Sequence, residues 1–360
     1  MRVALVYDRV NKWGGAERVL LALHQVFPQA PLYTAVYDPK KAPWAKDFQV
    51  IPSFLNKFPL AKTSHEAYPY LMPLVFESFN FDGYDVVISV TSEAAKGIIT
   101  KPETLHLCYC LTPTRYLWSG YDDYFKNKAF RFLTRPVVNY LRTWDKIAAQ
   151  RPDFYLAISQ NVQQRIKKYY GRDSEVIYPP VDVDQWSPVS EKAEEYFLVV
   201  SRLVTYKRVD LAIEAFNKLE LPLKIVGDGR EKRKLKRMAG ENIEFLGELT
   251  GKDLLGYYQR CRAVIFPQEE DFGLVPLEAQ ASGRPVIAYR KGGALETVID
   301  GKTGLFFAPQ TARALIKVID SLRTVRFKPQ AFGQNVVKFS QERFKEEFKE
   351  TVEKEWAKKK

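Results

Sequence analysis

Short apolar segments alternate with helical patterns along most of this 360-residue chain. Because parallel strands need a helix-sized crossover between them, this alternation predicts parallel sheets covered by helices on both faces. The alternation stops at Tyr178–Pro188, where prolines prevent a helix, and it restarts at Phe197. We therefore expect an α/β fold of two Rossmann-like domains, residues 1–178 and 189–335, facing across a cleft and joined by a linker at 179–188.

The individual elements follow from the apolar pattern. In the first half we expect strands at 2–8, 32–36, 85–90, 105–110, 154–159 and 175–178, and helices at 16–27 and 161–170. Residues 39–80 are predicted to be loop-rich, and residues 124–151 to form a basic helical region broken near Pro136. In the second half we expect strands at 197–200, 223–226, 243–245, 263–266, 286–288 and 305–307, helices at 208–218, 230–239, 251–261, 275–282 and 310–323, and an amphipathic helix at 341–360.

Composition narrows the class of protein. The hydrophobic fraction of 46% is ordinary for a folded globular chain, and no apolar run reaches the ~18–20 residues that a membrane helix needs. The N-terminal segment is predicted to be a strand and not a signal peptide, so we expect a cytoplasmic protein. Cys108, Cys110 and Cys261 are odd in number, which predicts buried structural thiols without a disulfide framework. The net charge of +12 indicates nucleic acid, anionic lipid or a phosphorylated small molecule as a partner, or general solubility.

The stretch with the most functional information begins at a predicted strand, Ala263–Phe266. An acidic loop, Gln268–Asp271, follows this strand, and a helical pattern then begins after Gly273 and ends at Gly283. This order places Glu270 where a parallel strand gives way to a helix, at the edge where such sheets bind ligands.

Amides and carboxylates are expected to converge at this edge. The amides of Phe272, Gly273 and Leu274 lack partners within the predicted helix, so they can donate to phosphate or sugar oxygens. Glu270, and Glu278 within the helix, can accept hydrogen bonds from sugar hydroxyls. The combination suits a polyhydroxylated anion, and the alternative is a capped helix with two solvated acids.

Cations and glycines follow other predicted strands. Arg202 and Lys207 come after the first strand of the second half, where they can stabilise charge on a departing phosphate, or form a solvated basic turn. Gly227 follows the next strand, and Gly14 and Gly15 follow the first strand of the chain. Glycine at these places allows the backbone to approach a ligand closely, or simply to turn.

Seven residues separate Glu270 from Glu278, and they include the run Phe-Gly-Leu-Val-Pro-Leu. This pattern resembles the signature of the retaining glycosyltransferases of family 4, which have the two-domain GT-B fold. The resemblance covers nearly the whole chain, most specifically residues 1–20 and 197–305. Within the family, the chain is most similar to the O-antigen mannosyltransferase-like branch, through residues 7–18 and Thr112–Trp118.

The resemblance implies a role for each matching residue. Arg202 and Lys207 are implied to clamp the diphosphate of a nucleotide-sugar donor. Gly14 and Gly15 of the first domain are implied to contact the same diphosphate. A C-terminal helix, residues 336–360, is implied to cross back to that domain. The donor is implied to be a GDP-sugar, mannose by analogy, used with a glycan or lipid-linked acceptor in cell-envelope polysaccharide synthesis.

The same resemblance implies how the donor is held. Glu270 positions the sugar and supports positive charge at its C1, Glu278 takes the ribose, Leu249 holds the base through backbone atoms, and Gly227 lies on the nucleotide side. Transfer is implied to proceed with retention and without a metal.

One position departs from the family. Many relatives carry a histidine before Thr-Pro, where it contacts the donor sugar near its C6 hydroxyl, but here Leu111 precedes Thr112. The chain's histidines, His24, His65 and His106, lie elsewhere. We therefore expect a donor without a 6-hydroxyl, a 6-deoxy sugar or a pentose, because leucine fits a methyl group or a void. The alternative is that another group replaces the histidine.

A metal site is not expected. Asp182 and Asp184 match the Asp-x-Asp motif of metal-dependent glycosyltransferases, but they lie in the predicted linker. No other cluster in the sequence has metal-ligand spacing. We therefore expect neither a metal nor another cofactor, with the nucleotide-sugar acting as a substrate.

The region 124–151 combines basic and aromatic side chains. Its cations are Lys126, Lys128, Arg131, Arg135, Arg142, Lys146 and Arg151, against Asp145 as the one acid between them. Such a helix suits an anionic membrane surface that presents a lipid-linked acceptor. The alternative is a basic helix packed on its own domain.

Two other functions remain open. A nucleotide-sugar epimerase has this architecture but needs acid–base residues, which we do not find near the predicted strand ends. A nucleic-acid binder would use the basic stretches 126–151 and 229–237, but it leaves Glu270 and Glu278 unexplained. We expect no nucleic-acid partner.

Overall fold

The computed structural model describes residues 1–183 and 194–360. These residues divide into two compact units, Met1–Pro180 with Glu342–Lys360, and Val181–Gln341. Of the predicted linker at 179–188, the residues from 184 onward lie outside the described ranges. Within those ranges, no helix is long and apolar enough to cross a bilayer.

The first unit is built on a parallel sheet, in which the described residues form seven strands. The strands are β1 (Val3–Tyr7), β2 (Leu32–Thr34), β3 (Val50–Pro52), β4 (Val86–Thr91), β5 (Leu105–Cys110), β6 (Phe154–Ala157) and β7 (Glu175–Val176). Their order is β3-β2-β1-β4-β5-β6-β7, so the direction of the connections reverses between β1 and β4. β1, β4 and β5 are buried along their whole length, as strands covered on both faces should be.

Helices alternate with these strands. They are α1 (Gly15–Val26), α2 (Met72–Glu77), α3 (Tyr121–Tyr124), α4 (Lys128–Ala148) and α5 (Gln160–Tyr170). Val6 of β1, Val87 of β4 and Phe76 of α2 are fully buried in one apolar cluster. The burial of this cluster is the main driving force that fixes the sheet against its helices.

The second unit repeats the scheme with six strands among its described residues. The strands are β8 (Phe197–Val200), β9 (Leu223–Val226), β10 (Ile243–Gly247), β11 (Val264–Phe266), β12 (Val286–Tyr289) and β13 (Gly304–Phe307). The helices are α6 (Val209–Leu219), α7 (Lys232–Met238), α8 (Gly251–Arg260), α9 (Leu274–Ala281), α10 (Ala294–Thr297), α11 (Ala312–Ser321) and α12 (Pro329–Val336). The strand order is β10-β9-β8-β11-β12-β13, with the reversal between β8 and β11. The prediction of two Rossmann-like domains with parallel sheets is confirmed.

The last helix, α13 (Gln341–Lys359), packs on the first unit through its apolar stripe. Phe344, Phe348 and Val352 are fully buried. The rings of Phe344 and Phe348 lie 5.8 and 5.6 Å from the ring of Tyr109 in β5. The four-residue spacing of these side chains is therefore a packing pattern.

The expected break near Pro136 is wrong, because α4 runs without interruption through it. Proline leaves the carbonyl of the residue four positions earlier without its helical donor. That residue is Phe132, and both Phe132 and Pro136 are exposed, so water can satisfy the carbonyl.

The expectation of a loop-rich stretch at 39–80 is also wrong in part. The stretch contains β3 and α2. Pro73 lies in the first turn of α2, where a backbone N–H is not needed. A proline that looks like a loop signal in the sequence therefore starts a helix.

Candidate functional site

Two loops of the second unit meet at the reversal of strand order. β8 and β11 are neighbours there, and open parallel sheets bind ligands where the connections of such strands diverge. Lys207 ends the turn Thr205–Lys207 after β8, and Glu270 follows β11. Their side chains form an ion pair, with 13% of Lys207 and 17% of Glu270 exposed. The structure therefore brings together two side chains that the family resemblance assigns to different parts of the donor.

The residue after Lys207 fixes its loop. Arg208 has a φ of 51°, which is uncommon for a residue with a side chain. Its guanidinium contacts Asp210 at 3.3 Å and Gln310 Oε1 at 3.2 Å. Gln310 donates in turn to the carbonyl of Pro267, after β11, at 2.8 Å. Gln310 thus ties the two loops together, and no local sequence signal marks it because it lies 43 residues from Pro267.

Arg202 lies on the same loop as Lys207 but has a different partner. Its Nη2 donates to the hydroxyl of Tyr206 at 2.9 Å. The ring of Tyr206 lies 5.2 Å from Lys207 Nζ. Arg202 is exposed, so its planar donor fork is accessible to an anion.

A glycine pair after β12 holds the backbone of Glu270. The amide of Gly293 donates to the carbonyl of Glu270 at 2.9 Å. A Cβ on Gly292 would lie 2.4 Å from that oxygen, and a Cβ on Gly293 would lie 2.2 Å from the carbonyl oxygen of Phe272. Only glycine permits this approach. Sequence reasoning missed the pair, although two adjacent glycines after a predicted strand were the available signal.

Helix α9 begins at Leu274, close to where the sequence predicts a helix after Gly273. Gly273 is its N-cap with a φ of 98°, and among the described residues no side chain caps the helix. Phe272, Gly273 and Leu274 therefore lie at the N-terminal end of α9, and the Phe272 side chain is buried. Glu278 lies inside α9, is 4% exposed, and accepts a hydrogen bond from the hydroxyl of Tyr258 at 2.8 Å.

Gly227 and Leu249 follow the two strands on the other side of β8. Gly227 has a φ of 128°, and a Cβ there would lie 2.0 Å from the carbonyl oxygen of Ser201. Its amide donates to the carbonyl of Gly247 at 2.6 Å. The close approach that glycine permits is thus made to neighbouring protein backbone. Leu249 is half-buried just beyond β10.

The first unit has its own reversal between β1 and β4, where a buried carboxylate organises the loops. Asp8 directly follows β1 and is fully buried. It accepts from the hydroxyl of Thr91 at 2.9 Å and from the amides of residues 92–95 at 2.7–3.0 Å. Many hydrogen bonds to one carboxylate offset the cost of burying its charge. Sequence reasoning missed this role, although an acid directly after the first strand was the available signal.

Gly14 and Gly15 lie at the beginning of α1. Gly14 is the N-cap, and a Cβ there would lie 3.1 Å from Glu17 Oε2. Glu17 is 1% exposed and accepts a hydrogen bond from the hydroxyl of Tyr7 at 2.7 Å. Burial and the nearby Glu17 carboxylate raise the pKa of Tyr7, so its hydroxyl remains a donor.

Leu111 follows β5, half-buried, and its amide donates to the carbonyl of Thr91 at 2.8 Å. Beyond it, the hydroxyl of Thr114 donates to Asp145 of α4 at 3.0 Å. Lys96, after β4, forms an ion pair with the same Asp145 at 2.5 Å, and both side chains are 1% exposed. Burial alone would lower the pKa of Lys96. The attraction of the Asp145 carboxylate is larger than this effect, so the pKa of Lys96 is raised. This pair joins α4 to the loops after β4 and β5.

The three cysteines are buried and form no disulfide, in agreement with the prediction of buried thiols without a disulfide framework. Burial raises the pKa of Cys108 and Cys261 to about 12. No group of metal-ligating side chains occurs among the residues described. Of the Asp-x-Asp sequence, Asp184 lies outside them.

Residues 181–339 match the family model described as "Glycosyl transferases group 1". O-antigen chain mannosyltransferase C of Escherichia coli is 28% identical over 379 residues, which cover 97% of this chain and 94% of that protein. D-rhamnosyltransferase WbpZ of Pseudomonas aeruginosa is 28% identical over 207 residues, 54% of each chain. The chain spans about half the length of several curated relatives that it matches, 58% in one case and 41% in another.

Solved structures show the same architecture. The Anabaena protein HepE, solved in complex with UDP, superposes with a TM-score of 0.73 over 98% of this chain and 100% of that chain. The two sequences are 18% identical, so the likeness concerns the fold. The fold of this chain is GT-B, as the sequence predicts.

Proposed function

Because residues 181–339 form a glycosyl transferases group 1 domain, we propose that this protein is a retaining, metal-independent glycosyltransferase. It transfers a sugar from a nucleotide-diphosphate sugar to a glycan or lipid-linked acceptor in cell-envelope polysaccharide synthesis. The acceptor is met at the inner, cytoplasmic surface of an anionic membrane. Mannosyltransferase C supports mannose as the transferred sugar, and the family resemblance supports GDP as its carrier.

The observation that carries this proposal is the ion pair of Lys207 and Glu270 at the strand reversal. A diphosphate is an anion that can replace Glu270 as the partner of Lys207. The sugar hydroxyls can then donate to Glu270 in place of the lysine. Binding therefore leaves no buried charge without a partner, which matters because an uncompensated buried charge costs several kcal/mol, roughly 3–5.

The proposed reaction breaks the bond between the sugar C1 and the phosphate oxygen. The acceptor hydroxyl oxygen bonds to C1 on the same face, and its proton passes to the departing phosphate oxygen. Lys207 and Arg202 stabilise the negative charge on that phosphate, and Glu270 the positive charge at C1. Preplaced charges of this kind typically lower a barrier by about 3–4 kcal/mol each.

Leu111 supports a donor that lacks a 6-hydroxyl as a second possibility for the sugar. It directly follows β5, and its side chain offers no hydrogen bond to a hydroxyl. The relative WbpZ is named a D-rhamnosyltransferase, and D-rhamnose is 6-deoxymannose. We propose that 6-deoxymannose and mannose donors are the first pair to compare.

A thermal-shift panel of UDP-, GDP-, ADP- and dTDP-sugars tests the proposal, followed by product analysis with the donor that stabilises the protein. We expect stabilisation by one nucleotide class and a new glycoside with release of the nucleoside diphosphate. An epimerised donor formed without an acceptor would indicate the epimerase. DNA affinity that falls steeply as the salt concentration rises, without stabilisation of the protein by any nucleotide-sugar, would indicate a nucleic-acid binder.

A further inference from the structure

Helix α4 has a buried stripe and a second, apolar stripe that is exposed. The buried stripe consists of Val138, Leu141, Asp145 and Ala148, all in the C-terminal half of the helix. Its contacts are strong: Asp145 pairs with Lys96, and the Arg142 guanidinium donates to the carbonyl of Leu117 at 2.8 Å. This half is therefore anchored to the body of the first unit.

The N-terminal half of α4 is largely exposed, although Phe130 stacks on Phe125 with ring centroids 5.8 Å apart and Arg131 pairs with Asp122 at 3.0 Å. Every residue from 126 to 137 except Thr134 is exposed. Four large side chains in α4 form a second stripe at spacings of three and four residues, and their exposed fractions are 53% for Phe130, 74% for Leu133, 38% for Val137 and 52% for Tyr140. Phe132 is 75% exposed and lies outside this stripe, on the side of the helix that carries Lys128 and Arg135. A contiguous apolar surface of this kind marks an interaction site.

The charge around the stripe selects the partner. Residues 126–144 contain no acid, and of their cations Lys128 and Arg135 are exposed, whereas Arg131 pairs with Asp122 and Arg142 donates to the carbonyl of Leu117. At 100° per residue, Lys128 and Arg135 lie on the side of the helix opposite the stripe. One apolar face and one cationic face are the features of a helix that lies in the interface of an anionic bilayer. A second copy of the chain fits poorly, because it would bring the same positive charges together.

We propose that residues 126–140 dock on an anionic lipid bilayer, with Phe130, Leu133, Val137 and Tyr140 in the acyl boundary and the cations near the headgroups. This inference rests on the proposed function in one respect, because it places the membrane that presents the acceptor. The anchored half of α4 contacts the loops after β4 and β5 through Asp145. The docked segment therefore leads directly to the strand ends of the first unit.

A fluorescent label tests insertion directly. The three native cysteines are buried, so a Leu133→Cys variant can be labelled selectively with NBD. We expect a rise and blue shift of its emission with vesicles of phosphatidylglycerol and phosphatidylcholine, and none with phosphatidylcholine alone. The matched control is Ile99→Cys, at a position in the same unit that is 53% exposed, which should show no change. Equal signals from both positions would overturn the proposal.

Sedimentation separates the apolar and ionic contributions. Leu133→Ser with Tyr140→Ser should weaken vesicle binding by roughly tenfold or more, because serine gains little from burial in the acyl boundary. Lys128→Glu with Arg135→Glu should weaken it by about tenfold or more, and Lys40→Glu with Lys41→Glu is the charge-matched control. Binding unaffected by both α4 variants, or lost equally in the control, would overturn the proposal. Capture of the α4 surface by an acidic protein without vesicle binding would also overturn it.

Donor stabilisation is measured on the same variants, which should keep the parent's melting temperature because the changed side chains are exposed. Donor stabilisation without vesicle binding would remove the membrane inference alone. Vesicle binding without stabilisation by any nucleotide-sugar would remove the proposed function and leave the docking segment intact.

Discussion

Lys207 and Glu270 form an ion pair in which both side chains are largely withdrawn from solvent, 13% and 17% exposed. Each follows a different strand. Gln310 joins the Arg208 side chain to the carbonyl of Pro267, and Gly293 donates to the carbonyl of Glu270. Because the two loops are held in place, each side chain can exchange its partner for a group of the ligand with little rearrangement of the backbone. The position of the pair and the rigidity of its loops are what the proposed reaction requires.

Arg202→Ala should reduce turnover by about 100-fold, because it removes one preplaced cation from the departing diphosphate. Arg202→Lys should fall between the parent and the alanine variant, since a point charge replaces a planar fork. Steady-state kinetics with the identified donor measure both. Arg230→Ala removes another exposed cation of the same unit and is the control. Loss of the same size in the control would contradict a specific role for Arg202.

Tyr258→Phe should lower the free energy of unfolding by about 1–3 kcal/mol, because it leaves the buried Glu278 carboxylate without its hydroxyl donor. Denaturant titration measures this change. The adjacent Tyr257→Phe should change stability by less than about 0.5 kcal/mol. If Glu278 also takes the ribose, the Tyr258 variant raises the donor KM while kcat stays close to the parent's. An unchanged KM alongside the stability loss would assign Glu278 a structural role only.

Leu111→His should shift the ratio of kcat/KM towards donors with a 6-hydroxyl, relative to their 6-deoxy counterparts, by roughly tenfold or more. The reason is that a histidine offers a hydrogen bond that a 6-deoxy sugar cannot make. Leu111→Met keeps the position apolar and should leave the ratio near the parent's. Paired assays with mannose and 6-deoxymannose donors decide the point. A parent enzyme that turns over both donors equally would refute the role of Leu111.

His106 gives the protein a defined sensitivity to acid. It is fully buried, accepts or donates one hydrogen bond with Ser89 at 2.9 Å, and burial lowers its pKa to about 3. The unfolded chain protonates this residue near pH 6.5, whereas the folded chain does not, so folding stability falls as pH drops below that value. Between pH 6.5 and 4.5 the loss due to His106 is about 2–3 kcal/mol.

The check on this prediction is the unfolding free energy across that pH range for the parent and for His106→Gln. Glutamine does not titrate, so the variant's curve should be flatter by the amount stated. Parallel curves would mean that His106 is protonated in the folded protein as well.

The sequence predicted most of the fold because its strands are short, apolar and buried, as β4 and β11 illustrate. The prediction of secondary structure failed at two prolines that were interpreted as breaks. Pro73 lies in the first turn of a helix, and Pro136 lies within one. The sequence placed Lys207 and Glu270 at strand ends but could not pair them, because their proximity depends on the strand order. The hydrogen bonds to Asp8 and the pair of Lys96 with Asp145 were missed for the same reason. The partners of Asp8 lie up to 87 residues away in the sequence, and Lys96 and Asp145 are 49 residues apart.

The most direct test of the account is the rate of sugar transfer by Lys207→Met and Glu270→Gln, each purified and shown to melt at a temperature close to the parent's. We predict that turnover of the parent's preferred nucleotide-sugar falls by about 100- to 1000-fold in each variant, whereas Lys218→Met, at an exposed lysine of α6, retains the parent's rate. Folded variants at positions 207 and 270 that transfer sugar as fast as the parent would contradict it.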